Sequence, residues 1–213
     1  MDIQIPPAES RANHALLRRL LAERNREPER AESIDGQIRE AFERTAAVLV
    51  MDMVGFSRIS LRSGIIHYLA MIAEMDQLAR PPIAAHGGIV LKQEADNLFA
   101  LFDTPTQAYR AALAIFDAFD QANVRASDDR HIRGCIGIGF GPLLVIDDAD
   151  VFGCEMNLAC KLGEDHAAAS EILLTADAFA ALEPGLPPTE PASYHVAGVP
   201  IHCHRHRHGA AEG

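Results

Sequence analysis

The fold is decided by residues 46–54, which read AAVLVMDMV. This run is apolar, rich in strand-forming residues and too short for a surface helix, so it predicts a buried β-strand. Its single charged residue, Asp52, comes close to its end. Gly55 follows, and its lack of a side chain lets backbone amides approach an anion closely. We therefore expect a carboxylate at the end of a central strand, beside a candidate anion-binding turn.

A second decisive segment covers residues 87–102 and reads GGIVLKQEADNLFALF. Two apolar runs flank the polar stretch Gln93–Asn97, which predicts two paired strands with Asp96 at their turn. Carboxylates presented from neighbouring strand ends can share a pair of hard cations. Asp52 and Asp96 are therefore candidate metal ligands. Taken alone, acidic residues in turns are more often solvated than metal-bound, so other motifs must decide between the two interpretations.

The remaining elements follow from periodicity and capping signals. We expect one helix over Ser63–Leu78, stopped by Pro81 and Pro82, and another over residues 108–123, capped by Thr104 or Thr106. Residues 132–146, IRGCIGIGFGPLLVI, predict two strands joined by a turn at residues 139–142. A helix over Phe152–Leu162 comes next. The order βαββαβ followed by further αβ elements indicates an α/β (α+β) domain with a ferredoxin-like sandwich.

Three regions of the sequence differ in composition and residue pattern. Residues 1–44 are polar with a leucine stripe and predict a helical extension, which either packs on the domain or helps to pair two chains. Residues 45–205 carry the predicted α/β domain. Residues 206–213 form a His-rich tail, preceded by further alternating histidines from His202. Such a row either binds zinc or nickel or belongs to a solvated terminal strand.

Composition excludes several classes of protein. The 213 residues include 19 basic and 30 acidic residues, a formal net charge of −11, which repels nucleic acid. A nucleoside triphosphate is different, because a divalent cation can bridge its phosphates to carboxylates. The four cysteines form no CxxC pair, no apolar run reaches the roughly 20 residues of a membrane span, and a signal-peptide pattern is missing. We therefore expect a cytoplasmic protein without a membrane span.

Three motifs together carry a family resemblance. Residues 48–60, VLVMDMVGFSRIS, and the strand pair around Asp96 are the first two. In the third, residues 148–162, an acidic residue lies seven positions before an asparagine, and a cationic residue lies four positions after it: Asp150, Asn157 and Lys161. In order and spacing these motifs resemble the class III adenylyl/guanylyl cyclase catalytic domain.

The resemblance implies a complete set of roles. Asp52 and Asp96 would hold two Mg²⁺ or Mn²⁺ ions, and Gly55 and Phe56 would contact the substrate. Lys92 would donate to a purine ring nitrogen and Asp150 would accept from the adenine amino group, which implies ATP. The catalytic residues would be Asn157, holding the ribose, and Lys161, acting at the phosphates.

The activity implied is an adenylate cyclase, a phosphorus–oxygen lyase. The ribose 3′-hydroxyl would attack the α-phosphate in line, giving cyclic AMP and pyrophosphate for signalling, with sites at the interface of a homodimer. Three departures favour an alternative, a weak or inactive nucleotide-binding sensor. Ala197-Gly198-Val199 offers no cation where the family often has a Lys-Gly phosphate contact. Lys161 replaces the usual arginine and lacks its planar fork. Ala95-Asp96-Asn97 replaces the usual Gly-Asp-Gly.

Overall fold

The computed structural model describes residues 8–196 and 198–209, with side chains over the same ranges apart from residues 8–11, 56–58, 128 and 196. Eight strands are described: β1 Glu43–Met53, β2 Ile89–Glu94, β3 Asn97–Phe102, β4 Gly134–Ile146, β5 Asp150–Phe152, β6 Glu171–Thr175, β7 Glu190–Val196 and β8 Val199–Arg207. The α-helices are α1 Ala8–Arg26, α2 Ala31–Phe42, α3 Phe56–Ser63, α4 Ile65–Ala85, α5 Pro105–Asn123, α6 Cys154–Cys160 and α7 Ala176–Ala180. A π-helical turn, Lys161–His166, continues α6.

The strands form one sheet in the order β2-β3-β1-β4-β6-β8-β7, with β5 paired to β4. The first four positions, β2-β3-β1-β4, have the order of a ferredoxin-like βαββαβ unit. β1 is central, antiparallel to β3 on one side and to β4 on the other. The predicted fold class is therefore confirmed, as is the β2–β3 pair with Asp96 in its turn.

β1 divides its side chains between two cores, as the twofold period of a strand requires. Its odd-numbered members, including Leu49 and Met51, pack with α4 and α5. Val48 and Val50 pack on the opposite face with Met156 of α6. Asp52 is next in the even series, so it lies at the end of the strand on the face covered by α6.

Two sequence predictions about element boundaries are wrong. Helix α4 does not stop before Pro81 and Pro82 but includes both, because the fixed φ of proline is itself helical and burial of Ile83 holds the last turn against the core. The helix ends at Ala85, and Gly87 follows its cap with a φ of 77°.

β4 is one strand of 13 residues, without the predicted turn at residues 139–142. A Cβ at Gly137 or Gly139 would overlap carbonyl oxygens of α6. These glycines therefore let the helix backbone pack directly on the strand, a packing role that sequence reasoning mistook for a turn signal.

The helical extension packs on its own domain. Buried residues of α1 and α2, among them Leu20, Ile34 and Phe42, form a separate core with Ile146 at the end of β4. α1 is thereby fixed beside the β4–β5 connection. Residues 1–7 of the extension, and residues 210–213 of the His-rich tail, lie outside the described residues.

The histidine row belongs mostly to β8. His204 stacks on Phe179, His206 meets Tyr109 edge-on, and His208 lies against Phe116. Within the described parts of the chain, no group of three or more His, Cys, Asp or Glu side chains is placed to hold a metal ion. In the same residues, no helix is both long and apolar enough to cross a membrane.

Candidate active site

The structure brings Asp52 and Asp96 together at one end of the sheet. Burial raises the pKa of the Asp52 carboxyl to about 7, and the negative charges of Asp96 and Glu164 act in the same direction. Beneath Asp52 lies Cys135 of β4, whose Sγ is 3.6 Å from the Asp52 carbonyl oxygen. Burial raises the pKa of this thiol to about 12, so it lies beside the carboxylate as a neutral group.

Asp96 is held from the opposite side of the sheet. The Tyr68 hydroxyl of α4 donates a hydrogen bond of 2.6 Å to Asp96 Oδ2, and Tyr68 is only 1% exposed. Ala95 adopts a φ of 52°, which the glycine usual in this motif would tolerate more easily. The turn therefore keeps its shape despite its side chains, and Tyr68 fixes the orientation of the carboxylate.

Glu164 is a third acidic residue here, and sequence reasoning missed it. It lies in the π-helical turn after α6, and its Oε1 accepts a hydrogen bond of 3.3 Å from Asn97 Nδ2. Burial raises its pKa, and the neighbouring Asp165 contributes further. Nothing in the local sequence distinguishes Glu164 from a solvated acid, because its position depends on how α6 packs across the sheet.

The donor set fits a hard divalent cation. Asp52 and Asp96 offer carboxylate oxygens, the ligands that Mg²⁺ and Mn²⁺ prefer. Burial, and after it the negative charges of Asp96 and Glu164, raise the pKa of Asp52, and a bound cation would favour its ionised form. Two protein carboxylates, with the remaining ligands from water and phosphate, is the pattern that Mg²⁺ usually adopts.

Lys92 and Asp150 form a second cluster. Lys92 Nζ lies 4.0 Å from Asp150 Oδ1 and 2.8 Å from Glu94 Oε1, and it also sits over the ring of Phe99 at 5.2 Å. A cationic donor and an anionic acceptor thus stand side by side, although β2 and β5 are not neighbours in the sheet. The structure therefore brings together the two residues that the resemblance assigns to the purine.

Helix α6 is anchored to the sheet through a buried carboxylate. Glu155 Oε2 accepts from the backbone N–H of Phe140 at 3.0 Å and from Thr175 Oγ1 at 2.6 Å. The outer face of the same helix carries Asn157, which is exposed, and leads to Lys161, whose Nζ pairs with Asp165 at 2.8 Å. Neither side chain is joined by a described contact to Asp52 or Asp96.

A cavity of about 780 Å³ lies beside the end of β1. Its described lining residues carry two cationic side chains, Arg62 and Arg133, and one acidic side chain, Asp129, among neutral residues that include Val54. Gly55 has a φ of 107° and directly precedes α3, so the turn needs its glycine. Phe56 begins that helix, and its side chain lies outside the described residues.

Two known proteins are similar to this chain in sequence. A putative adenylate cyclase 3 of Rhizobium meliloti is 30% identical over 119 residues, 56% of this chain and 20% of the relative. An adenylate cyclase of Streptomyces coelicolor is 30% identical over 153 residues, 67% of this chain and 38% of the relative. The chain thus spans about one fifth of the length of the first relative and about two fifths of the length of the second. No family model matches it.

Solved structures agree with these two relatives in sequence. An adenylate/guanylate cyclase/hydrolase from Silicibacter pomeroyi superposes with a TM-score of 0.68 at 27% identity, covering 78% of this chain and 97% of that one. The chain belongs to the class III adenylyl/guanylyl cyclase family. The guanylyl cyclase Cya2 shares the fold at a TM-score of 0.66 and 15% identity, over 80% of this chain and 96% of its own.

Proposed function

We propose that this cyclase-family chain is an adenylate cyclase that converts ATP to cyclic AMP and pyrophosphate. The observation that carries the proposal is the convergence of Asp52 and Asp96 at one end of the sheet, where burial and mutual repulsion raise the pKa of Asp52. Two Mg²⁺ or Mn²⁺ ions bound there would neutralise phosphate charge and lower the pKa of the ribose 3′-hydroxyl. Tyr68 would hold Asp96 for that task.

The choice of ATP rests on Lys92 and Asp150. Their charged groups lie 4.0 Å apart, so the pair offers one donor and one acceptor to the edge of a base. Adenine presents an acceptor ring nitrogen beside a donor amino group, which matches this order. Guanine places a carbonyl oxygen where adenine has its amine, and two facing acceptors cost about 1–3 kcal/mol. Arg62 and Arg133, which line the cavity beside the end of β1, would contact the phosphates.

A second copy of the chain would complete the site. Asn157 and Lys161 lie on the exposed side of α6, where Asn157 would orient the ribose and Lys161 would neutralise charge at the α-phosphate. A patch of exposed apolar side chains supports pairing: Leu61 is 87% exposed, Ile65 53%, Ile66 81% and Leu69 56%. One solved structure of the same fold is a non-canonical dimeric guanylyl cyclase domain, and another from the same fusion protein is monomeric. We therefore expect a homodimer with two interfacial sites.

One observation favours a second candidate function, a nucleotide-binding sensor without turnover. Lys161 is engaged by Asp165 at 2.8 Å, and this pairing raises the pKa of the lysine. A lysine held in this way approaches phosphate only after it exchanges partners. Tight metal-dependent ATP binding without any product is the result that this candidate predicts.

The test is an activity panel on the purified chain. ATP, GTP, CTP and UTP are each incubated with magnesium or manganese, and cyclic nucleotide and pyrophosphate are quantified. We expect cyclic AMP to be the main product and to disappear in Asp52→Ala. An absence of cyclic product from all four nucleotides with both metals would eliminate the cyclase proposal.

A further inference from the structure

The N-terminal extension reaches the residue assigned to the purine. His14 of α1 places Nε2 2.9 Å from Asp150 Oδ2 and Nδ1 3.2 Å from Asp147 Oδ2. Both ring nitrogens therefore face carboxylates of the β4–β5 connection, and an imidazole donates at both positions as the cation. These residues are far apart in the sequence and meet only because the α1–α2 hairpin packs on β4.

The position of His14 is built into the fold. The core formed by Leu20, Ile34 and Ile146 fixes α1 across the end of β4. Next to His14, Asn13 Nδ2 donates a hydrogen bond of 2.6 Å to Asp147 Oδ1. The connection itself is a tight turn in which Asp147 and Asp148 have φ values of 57° and 50°. A fixed helix therefore meets a sharply defined turn, and the contact does not depend on a loose surface side chain.

The two oxygens of Asp150 then have different neighbours. Oδ2 accepts from His14, whereas Oδ1 lies 4.0 Å from Lys92 Nζ. Lys92 has a closer partner in Glu94, at 2.8 Å, so Asp150 does not hold the lysine by itself. Without His14, the Asp150 carboxylate would be free to rotate about its side-chain torsions and would lose its defined direction beside Lys92.

We propose that His14 is a positioning residue for base recognition, which makes the N-terminal extension part of the nucleotide site. By engaging one oxygen of Asp150, the imidazole directs the other toward Lys92 and the purine edge. The acceptor–donor pair that selects adenine is then set in advance of binding, so less ordering remains to be done when ATP arrives. This inference rests on the proposed adenine-reading role of Lys92 and Asp150.

The test measures binding without turnover in the intact chain. The probes are the α,β-methylene analogues of ATP and GTP with magnesium, which bind but cannot release pyrophosphate, and calorimetry gives both dissociation constants. His14→Ala is expected to weaken binding of the ATP analogue roughly tenfold and to reduce the preference for adenine by a similar factor. His14→Gln should recover part of both, because its amide N–H can still donate to Asp150.

Asn13→Ala is the matched control, since Asn13 lies on the same helix and contacts the same turn without touching Asp150. It is expected to bind both analogues within about twofold of the unmodified chain, because the core of Leu20, Ile34 and Ile146 holds α1 in place without the Asn13 hydrogen bond. Unchanged affinity and preference in His14→Ala, an equal loss in Asn13→Ala, or tighter ATP binding in His14→Ala would each overturn the proposal. The last result would show instead that His14 competes with the base.

The same samples separate this inference from the proposed function. If the unmodified chain binds the ATP analogue but forms no cyclic AMP from ATP, the cyclase proposal fails while the effect of His14 is still measured. If it forms cyclic AMP but His14→Ala keeps the same base preference, only the role of His14 fails. An unmodified chain that binds neither analogue and forms no cyclic product overturns both.

Discussion

The two halves of the candidate site are built in different ways. Asp52 and Asp96 lie at the end of the sheet, partly buried, and are oriented by contacts within one chain, such as the Tyr68 hydrogen bond. Asn157 and Lys161 are exposed, and within the described part of the chain Lys161 pairs with Asp165 on its own helical turn. The first half is thus preorganised by the fold, whereas the second lies on an exposed surface, where we propose that a second chain completes the site.

The largest effect is expected from breaking the preorganised half. Asp52→Asn removes the negative charge needed for the metal ions while keeping the shape of the side chain. Cyclic AMP production, followed by chromatography, should fall on the order of a thousandfold or more. Asp148→Asn is the control, because Asp148 is an exposed acid of the β4–β5 turn that pairs with Arg44. Equal losses in both variants would show that Asp52 has no special role.

The next largest effect is expected on stability, at the buried Glu155 that anchors α6 to the sheet. Glu155→Ala leaves the Thr175 hydroxyl and the Phe140 N–H without their buried acceptor, which should cost about 3 kcal/mol of unfolding free energy in urea titrations. Glu155→Gln keeps an acceptor oxygen and should lose less. A loss below about 0.5 kcal/mol in the alanine variant would show that the glycine contacts of β4 alone hold the helix.

A smaller effect is expected at the exposed half. Lys161→Arg should raise the turnover number roughly tenfold, because the planar guanidinium can contact two phosphate oxygens at once. Asp165→Asn should raise it a fewfold by releasing the lysine from its 2.8 Å ion pair. Steady-state kinetics with ATP measures both. Slower turnover in Lys161→Arg would show that this site is adapted to lysine.

The smallest effect concerns the stability of the metal-free chain. The pKa of Asp52 is raised from 3.8 to about 7 by burial and neighbouring charge, so the folded state holds a proton that the unfolded state releases. This stabilising contribution is complete below about pH 4 and is lost as the pH rises to about 7. In urea titrations with chelator, Asp52→Asn should lack that decline. Parallel pH profiles for the two proteins would contradict the assignment.

Sequence reasoning succeeded where the signal is local. The strand of residues 46–54, the β2–β3 pair and the turn at Asp96 are each indicated by short apolar runs and by the polar, turn-forming residues next to them. The structure confirms them. It was wrong where packing between elements that are distant in the sequence determines the local structure. Gly137 and Gly139 permit close helix packing rather than a turn, and Pro81 and Pro82 remain inside a helix that the core supports.

The candidate site shows the same division. Asp52, Asp96, Lys92 and Asp150 could be singled out from the sequence because they fall in motifs with a family spacing. The structure places Asp52 near Asp96 and Lys92 near Asp150, and their roles stay predictions. Glu164 and His14 could not be singled out, since each reaches the site from another element, and neither has an informative local sequence. The contact of Glu164 with Asn97 of the β2–β3 hairpin and the contact of His14 with Asp150 both follow from tertiary packing.

The central claim, that each site combines the two halves from different chains, has one direct test. Asp52→Asn and Asn157→Ala chains are purified separately, mixed in equal amounts and assayed for cyclic AMP. Each alone should be nearly inactive. In the mixture, half of the dimers contain both variants and each of these has one intact site, so activity should return to about a quarter of the unmodified level. A mixture that stays as inactive as its components would contradict the claim.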